Sequence, residues 1–287
     1  MENIPIRQIQ EILKEPNLSR NFSIREIQEL LEGKDMFQEL HRHDFYYILV
    51  LEKASGSHEI DFTHYEILDH SIFLMRPGQV HKLELKNLST GFLLQFKTDF
   101  FYTQNKLSQD LLRKVSHINF CSLDINGFKK LEVILSYVLK EFEEKLEGYH
   151  EVIKSNLSIF FIELVRHRQN KKNTPLETNQ YSQEQLEKFL HLIETNIIKN
   201  KQVSQYADML NISTYQLNAI TKTLLDKTPS ELINEYIILE SKRQLLATSN
   251  QVNQIADQLG YDDISYFIRF FKKHTEYSPE AFRHNFK

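Results

Sequence analysis

The sequence predicts an α+β chain with a strand-rich N-terminal domain, a helical segment after it and an all-α C-terminal domain. Three observations support this prediction. Short apolar runs, separated by turn-forming residues, follow one another through residues 1–120. From about Asn126 the apolar residues recur at helical spacing. A pattern that begins at Val203 recurs in register at Val252, 49 positions further along, which indicates one supersecondary unit used twice.

The composition is typical of a globular protein. The 287 residues leave room for two domains, and 41% of them are hydrophobic and 26% charged. The single cysteine, Cys121, excludes an internal disulfide framework and fits a reducing compartment. The N-terminus lacks the apolar core of a signal peptide, and the apolar runs are too short to span a bilayer. We therefore expect a cytoplasmic protein.

Residues 1–120 are expected to form a β-barrel or sandwich. A helical stretch is predicted first, at residues 4–13. Strands are predicted at residues 37–40, 45–51, 58–62, 71–75, 81–85 and 91–96. Turn-forming breaks such as Arg76-Pro77-Gly78 separate them. Many short strands at regular spacing are typical of sandwiches and barrels.

Three histidines stand out in this domain. His41 and His43 alternate along a predicted strand and therefore share one face. His81 lies further along, shortly after Pro77 and Gly78. This combination resembles the cupin barrel. Three interpretations are open: a metal site made by the three imidazoles, a small-molecule pocket inside the barrel, or histidines with a structural role and no ligand.

Metal-binding cupins place a glutamate a few residues after the histidine pair, where this chain has Tyr47 and Ile48. The prediction is therefore a site without metal or cofactor, with a small-molecule effector pocket as the favoured function. Aromatic faces beside polar groups suit a sugar, while a fatty acid or a peptide is also compatible. The predicted effector-binding residues are His41, His43, Tyr46, Tyr47, Arg76 and His81.

A helical pair is predicted between the two domains, at residues 121–170. One apolar stripe covers about residues 126–142 and another about residues 150–169. The stripes are wider than a single packing contact needs. The two helices either pack only on the barrel and on each other, or also form a dimer interface.

A polar segment at residues 171–181 is the predicted interdomain linker. It lacks apolar periodicity and contains Pro175, which stops a helix. Ser182, with Gln185 three residues later, then has the pattern of a capping box. The C-terminal domain is therefore predicted at residues 182–287.

Each copy of the repeated pattern predicts a helix, a tight turn and a second helix. Ala207 and Ala256 are small where two helices must cross closely. Gly260 and its counterpart Asn211 stand where the first helix ends and the backbone needs a positive φ. This is the pattern of a helix-turn-helix unit, whose second helix fits the major groove of DNA. The two units are predicted at about residues 202–223 and 251–274.

The second helices carry the predicted DNA contacts. Each begins after a polar capping residue, Ser213 in the first unit and Asp262 or Asp263 in the second. Outward-facing amide and alanine side chains of the first helix suit adenine edges and thymine methyl groups, whereas the arginine of the second suits guanine and its lysines suit phosphates. The predicted DNA-binding residues are Ser213, Thr214, Tyr215, Gln216, Asn218, Ala219, Lys222, Asp263, Ser265, Tyr266, Arg269, Lys272 and Lys273.

The net charge does not by itself indicate nucleic-acid binding. It is −4 for the whole chain, and basic and acidic residues are equal in number from Lys171 onwards. DNA affinity must therefore come from the placement of charges. Arg269, Lys272 and Lys273 cluster on one predicted helix.

The run from Ile255 to Lys273, followed by Ser278-Pro279 and Phe282-Arg283, is similar to the signature of AraC/XylS-type transcription regulators. The resemblance extends over about residues 184–286. It implies a bacterial, sequence-specific DNA-binding regulator, not an enzyme, with a cupin-like effector domain and two helix-turn-helix units joined by a long helix. Its implied partners are double-stranded DNA and a small-molecule effector. Because such regulators commonly pair through the helices after the cupin, the resemblance also implies a homodimer.

The chain departs from the family pattern at a few positions. Asp226 and Glu276 stand where glycine is usual, so these helix ends must close without it. Thr221 replaces a usual phenylalanine, which predicts weaker packing of the first unit. Two other classes stay open: a metal-dependent cupin enzyme that is localised by its DNA-binding tail, and a constitutive DNA-binding protein with an inert barrel.

Overall fold

The computed structural model describes residues 6–7, 21–101, 111–112, 114–116, 118–171 and 180–286. These residues fall into two compact units, one within residues 6–173 and the other within residues 174–287. The fold class is as predicted, since a β-sandwich with accompanying helices precedes an all-helical region. No helix in the described part of the chain is long and apolar enough to cross a membrane.

The first unit is built around two five-stranded sheets. Its described strands are β1 (Ile6–Arg7), β2 (Phe22–Glu26), β3 (Met36–His43), β4 (Tyr46–Leu51), β5 (Gly56–Ile60), β6 (Thr63–Ile67), β7 (Ser71–Met75), β8 (Val80–Leu85), β9 (Gly91–Phe96) and β10 (Phe120–Ser122). Short helices α1 (Ile27–Leu31) and α2 (Thr98–Phe101) flank them. One sheet has the order β1-β3-β8-β5-β6 and the other the order β10-β7-β4-β9-β2. Neighbouring strands are antiparallel apart from β1 and β3.

All six predicted strands are present, with ends that differ by a few residues. The sequence pattern did not predict β2, β6 or β10. The helix prediction at residues 4–13 is wrong at Ile6–Arg7, which form β1, paired in parallel with Arg42 and His43. The edge of β3 offers backbone partners there, and such pairing overrides a weak helical pattern. The other residues of that prediction lie outside the described part of the chain.

The second sheet carries apolar side chains on both of its faces. Neighbouring residues of a strand point to opposite faces. Leu49 belongs to the cluster between the two sheets. Its neighbour Ile48 belongs to the cluster on the other side, which includes Phe161. That second cluster is completed by helices α3 (Ile125–Glu144) and α4 (Tyr149–Lys171), which correspond to the two predicted stripes.

The second unit is entirely helical in the described residues. Its helices are α5 (Gln180–Asn196), α6 (Val203–Met209), α7 (Thr214–Leu225), α8 (Pro229–Ala247), α9 (Val252–Gln258), α10 (Ile264–Thr275) and α11 (Pro279–Phe286). Two apolar clusters fill it, one around Tyr206 and Leu217 and the other around Ile255 and Phe267. The long helix α8 contributes residues to both clusters, so it joins the two helix-turn-helix units.

Candidate nucleic-acid interface and histidine cluster

Both helix-turn-helix units turn at a left-handed residue, as predicted. Asn211 has a φ of 54° after α6, and Gly260 has a φ of 69° after α9. In each unit the next residue donates its backbone N–H to the buried alanine of the first helix, over 3.1 Å to Ala207 O and 2.9 Å to Ala256 O. The sequence repeat is therefore also a repeat of backbone geometry.

Polar side chains fix the start of each second helix. The Ser213 hydroxyl accepts a hydrogen bond from Gln216 N–H over 3.1 Å, and Gln216 Oε1 accepts one from Ser213 N–H over 2.9 Å. The Asp263 carboxylate accepts from the N–H groups of Ser265 and Tyr266. Both arrangements satisfy the free donors of a helix N-terminus. The Gln216 side chain that was predicted to contact adenine is held in the cap, so the two roles compete. The Asp263 carboxylate has a local structural role at the start of its helix.

Helix α7 presents a polar face to solvent that is uncharged except for Lys222 near its C-terminal end. Leu217, Ile220 and Thr221 are buried beneath it. The exposed predicted contacts of this helix are Thr214, Tyr215, Gln216, Asn218, Ala219 and Lys222. Tyr215 is 82% exposed. A protruding ring beside amide side chains is suited to contact with bases in a groove.

Helix α10 presents a basic face. Phe267 and Phe271 are buried on its inner side. The exposed predicted contacts of this helix are Ser265, Tyr266, Arg269, Lys272 and Lys273. Arg269 Nη2 lies 3.9 Å from Asp263 Oδ2, and both side chains are mostly exposed. An ion pair this long and this exposed contributes little free energy, so the guanidinium can turn to another acceptor.

The two second helices end in left-handed residues that are not glycine. Asp226 closes α7 with a φ of 55°, and Glu276 closes α10 with a φ of 68°. The prediction that these ends close without glycine is confirmed. A side chain with a Cβ adopts this conformation only at some cost in free energy.

Lys201, in the loop before α6, lies at a junction between the two helix-turn-helix units. Its Nζ donates to Ile198 O over 2.9 Å and to Gly260 O over 2.8 Å, and it lies 5.0 Å from the centroid of the Tyr261 ring. Burial lowers the pKa of Lys201, while the nearby Asp262 carboxylate opposes that shift. These contacts hold the turn of the second helix-turn-helix unit against the loop that precedes the first one. The sequence did not reveal Lys201, because a single lysine carries no pattern.

The N-terminal unit brings His41, His43 and His81 together. Their Nε2 atoms form a triangle with sides of 3.2 Å (His41–His43), 2.9 Å (His43–His81) and 3.1 Å (His41–His81). All three side chains are at most 5% exposed. Strand pairing explains the arrangement, because His41 lies opposite His81 across β3 and β8. A β-bulge between Gln38 and His41 re-aims this end of β3.

Two further contacts orient this histidine cluster, defined as His41, His43 and His81. His41 Nδ1 lies 2.6 Å from the Glu39 carbonyl oxygen, and His81 Nδ1 lies 2.9 Å from His58 Nε2. Burial lowers the pKa of His58 to about 3, with the His41 ring as a second cause, so His58 is neutral. Sequence analysis missed His58, since only the register of β5 against β8 places it beside the cluster.

Not all of the predicted effector residues join the cluster. The Tyr47 ring stacks on His43, with centroids 5.2 Å apart and an interplanar angle of 7°. Tyr46 points to the opposite face of β4 and stacks on Phe96 in the cluster below α3 and α4, because neighbouring strand residues alternate. Its predicted place among the effector contacts therefore does not fit the sandwich. Arg76 lies half-buried in the turn after β7.

Two family models match the chain. A model described as an AraC-like ligand binding domain matches residues 30–114, which hold the histidine cluster. A model described as a helix-turn-helix domain matches residues 206–285, which hold both second helices.

Similar proteins align over most of the chain. The HTH-type transcriptional activator RhaS of Pectobacterium atrosepticum is 23% identical over 250 residues, which are 85% of this chain and 87% of that protein. The uncharacterized HTH-type transcriptional regulator YfiF of Bacillus subtilis is 22% identical over 262 residues, which are 86% and 79% of the two chains. The crystal structure of ToxT from Vibrio cholerae with a bound unsaturated fatty acid is 20% identical, covers 94% of this chain and 97% of that one, and has a TM-score of 0.41.

Proposed function

We propose how this chain, an AraC/XylS-type transcription regulator with a ligand-binding domain and a helix-turn-helix DNA-binding domain, recognises its target. Helices α7 and α10 enter successive major grooves on one side of the duplex, about one helical turn apart. The observation that carries this proposal is the pair of matched turns, each followed by a capped helix with a polar outer face.

The two helices divide the work of recognition. On α7, Tyr215, Asn218 and Ala219 are exposed and uncharged, which suits contact with base edges and thymine methyl groups. On α10, Arg269 suits a guanine, and Lys272 and Lys273 near the C-terminal end suit backbone phosphates. Helix α10, with three basic contacts, then supplies more of the salt-dependent affinity than α7, which has Lys222 alone. Helix α7 supplies mainly specificity.

Selection of binding sites from random duplex DNA tests this proposal. The purified chain is mixed with the pool, and the retained duplexes are sequenced after several rounds. We expect two short motifs about one helical turn apart. Enrichment of a single short motif would overturn the assignment of two working recognition helices.

The N-terminal domain is proposed to control DNA binding through a small-molecule effector. The proposed effector contacts are His41, His43 and Tyr47, because their rings lie against one another. A sugar is one candidate class of effector. An effector that binds the native state, and not the unfolded chain, raises the temperature of unfolding. A thermal-shift screen of sugars, fatty acids and organic acids therefore tests this role, and a constitutive regulator would respond to none of them.

The same proposal places the protein in the cytoplasm, where its DNA target lies, and assigns it no enzymatic activity. The matched relatives are transcription regulators, which supports this assignment. A turnover assay on candidate effectors, with product analysis, would contradict it if any effector were consumed.

Helices α3 and α4 are proposed to form a homodimer interface. Val133 and Tyr137 on α3 and Ile159 and Ile162 on α4 are exposed apolar residues. An ion pair of 2.7 Å joins Lys130 Nζ to Glu163 Oε2 across the two antiparallel helices. Counting along each helix from this pair places Val133 near the level of Ile159. Isolated exposed apolar residues are ordinary, but a group on one helical pair favours an interface.

Sedimentation of the full chain tests the interface. We expect a dimer that dissociates when Val133→Glu and Ile159→Glu are combined. Leu88→Glu is the matched control, since Leu88 is 84% exposed and lies in the turn between β8 and β9. A wild-type chain that stays monomeric at tens of micromolar would overturn the proposal.

A further inference from the structure

Hydrogen bonding among the three rings of the histidine cluster accounts for at most two of their three close contacts. A ring nitrogen of neutral imidazole carries either a hydrogen or a lone pair in the ring plane, never both. Three Nε2 atoms that touch one another therefore cannot make three hydrogen bonds among themselves. Since His41 Nδ1 faces the Glu39 carbonyl oxygen, which only accepts, that nitrogen carries the hydrogen of the neutral ring. The Nε2 lone pair of His41 then points into the cluster.

We infer that His41, His43 and His81 bind a divalent first-row transition-metal ion through their Nε2 atoms. This inference goes beyond the proposed function, which assigns His41 and His43 to a small-molecule effector and assigns the chain no metal ion. One cation in the centre accepts three Nε2 lone pairs at once when each ring carries its hydrogen on Nδ1.

The distances fit such an ion after a small expansion. Zinc–imidazole bonds are about 2.0–2.1 Å long, so three nitrogens of a tetrahedral site lie about 3.3–3.4 Å apart. The observed separations of 2.9, 3.1 and 3.2 Å are a few tenths of an ångström shorter. Binding of an ion therefore requires the three nitrogens to move apart by a few tenths of an ångström.

The donor set selects the class of ion. Among the described residues, the group that could hold a metal consists of three buried histidines and no carboxylate. Neutral imidazoles suit zinc, copper, nickel, cobalt or ferrous iron, whereas calcium and magnesium require oxygen ligands. The glutamate that sequence analysis required is not needed for binding, since three protein ligands suffice and leave a fourth position for water or another ligand.

The surroundings of the cluster have the form of a supporting shell. A ligating histidine usually holds its other ring nitrogen in a hydrogen bond, which fixes the tautomer and the ring orientation. Glu39 O performs this role for His41, and His58 Nε2 lies in the matching place for His81. Tyr47 stacks in parallel on His43 and restrains that ring.

Titration of the chelator-treated full chain with Co²⁺, followed by Zn²⁺, tests the inference. We expect one equivalent of Co²⁺ to produce visible ligand-field absorption, and one equivalent of Zn²⁺ to abolish it. Mass spectrometry under native conditions gives the stoichiometry independently. Absence of both the absorption and a bound ion in wild-type protein would overturn the inference.

Variants then locate the ion. His41→Gln and His43→Gln are each expected to weaken Co²⁺ binding by about 100-fold or more, and His58→Gln by about 10-fold to 100-fold through loss of orientation. His64→Gln is the matched control, because His64 is exposed on β6 of the same unit, and it should bind like wild type. Wild-type affinity in folded His41→Gln and His43→Gln, verified by circular dichroism, would overturn the assignment. His58→Gln retains all three ligands, so it gives a second readout if the other variants fold poorly.

Binding of the selected duplex by the same samples separates this inference from the proposed function. If the wild-type chain binds the selected duplex but binds no metal ion, only the metal site is overturned. Metal binding in a chain that selects no duplex leaves the metal site supported and overturns the proposed recognition of DNA.

Discussion

Gly260→Ala is expected to disrupt the junction between the two helix-turn-helix units. Gly260 has a φ of 69°, and a Cβ built on it would lie 2.1 Å from Ile198 O and 2.9 Å from Lys201 Nζ. The lysine side chain could move, but the carbonyl belongs to the backbone. The turn of the second helix-turn-helix unit must therefore shift away from the loop before α6.

The magnitude follows from two contributions. A left-handed conformation costs an alanine about 1–2 kcal/mol relative to glycine. A tight backbone contact that must open by ~1 Å adds about 1–3 kcal/mol, as overpacking does in cores. We expect the free energy of unfolding of the helical unit to fall by about 2–5 kcal/mol, a large share of a typical domain's stability of about 5–15 kcal/mol.

Urea unfolding of the full chain, followed by far-ultraviolet circular dichroism, measures this loss. The chain has no tryptophan, so the helical signal is the better probe. Asn211→Ala is the control, because Asn211 occupies the equivalent place with a φ of 54° and already carries a Cβ. It should lose about 1 kcal/mol or less. Equal losses in the two variants would refute the steric argument at Gly260.

Three further predictions concern the basic helix and its end. Arg269→Ala should weaken binding of the selected duplex by about 1–3 kcal/mol if Arg269 contacts a base; an equal loss on random duplexes, measured by fluorescence anisotropy, would make it a phosphate contact. Lys272→Ala should reduce the slope of log affinity against log salt by roughly one, and an unchanged slope would remove Lys272 from the interface. Glu276→Gly should raise the free energy of unfolding by about 1 kcal/mol because Glu276 has a φ of 68°; a similar gain in Glu276→Ala would point to the lost charge instead of the backbone.

Local features of this chain were predictable from the sequence, because they depend on neighbouring residues. The left-handed turns at Asn211 and Gly260 follow from residue type and position after a helix. The alternation of His41 and His43 follows from the two-residue period of a strand. The same reasoning predicted the buried faces of α7 and α10, whose apolar residues recur at helical spacing.

Features that depend on pairing between distant segments were not predictable. His58 reaches the histidine cluster only through the register of β5 against β8. Lys201 reaches Gly260 across 59 positions of the chain. Tyr46 was assigned to the effector site with Tyr47, although strand alternation turns the two rings to opposite faces of β4.

Hydroxyl-radical footprinting on the selected duplex tests whether one chain contacts DNA through two helices in successive major grooves. We expect two protected windows per chain, about one helical turn apart on the same face of the duplex. Combined replacement of Tyr215 and Asn218 by alanine should weaken one window, and replacement of Arg269 should weaken the other. A single protected window, or equal weakening of both windows by either change, would contradict the account.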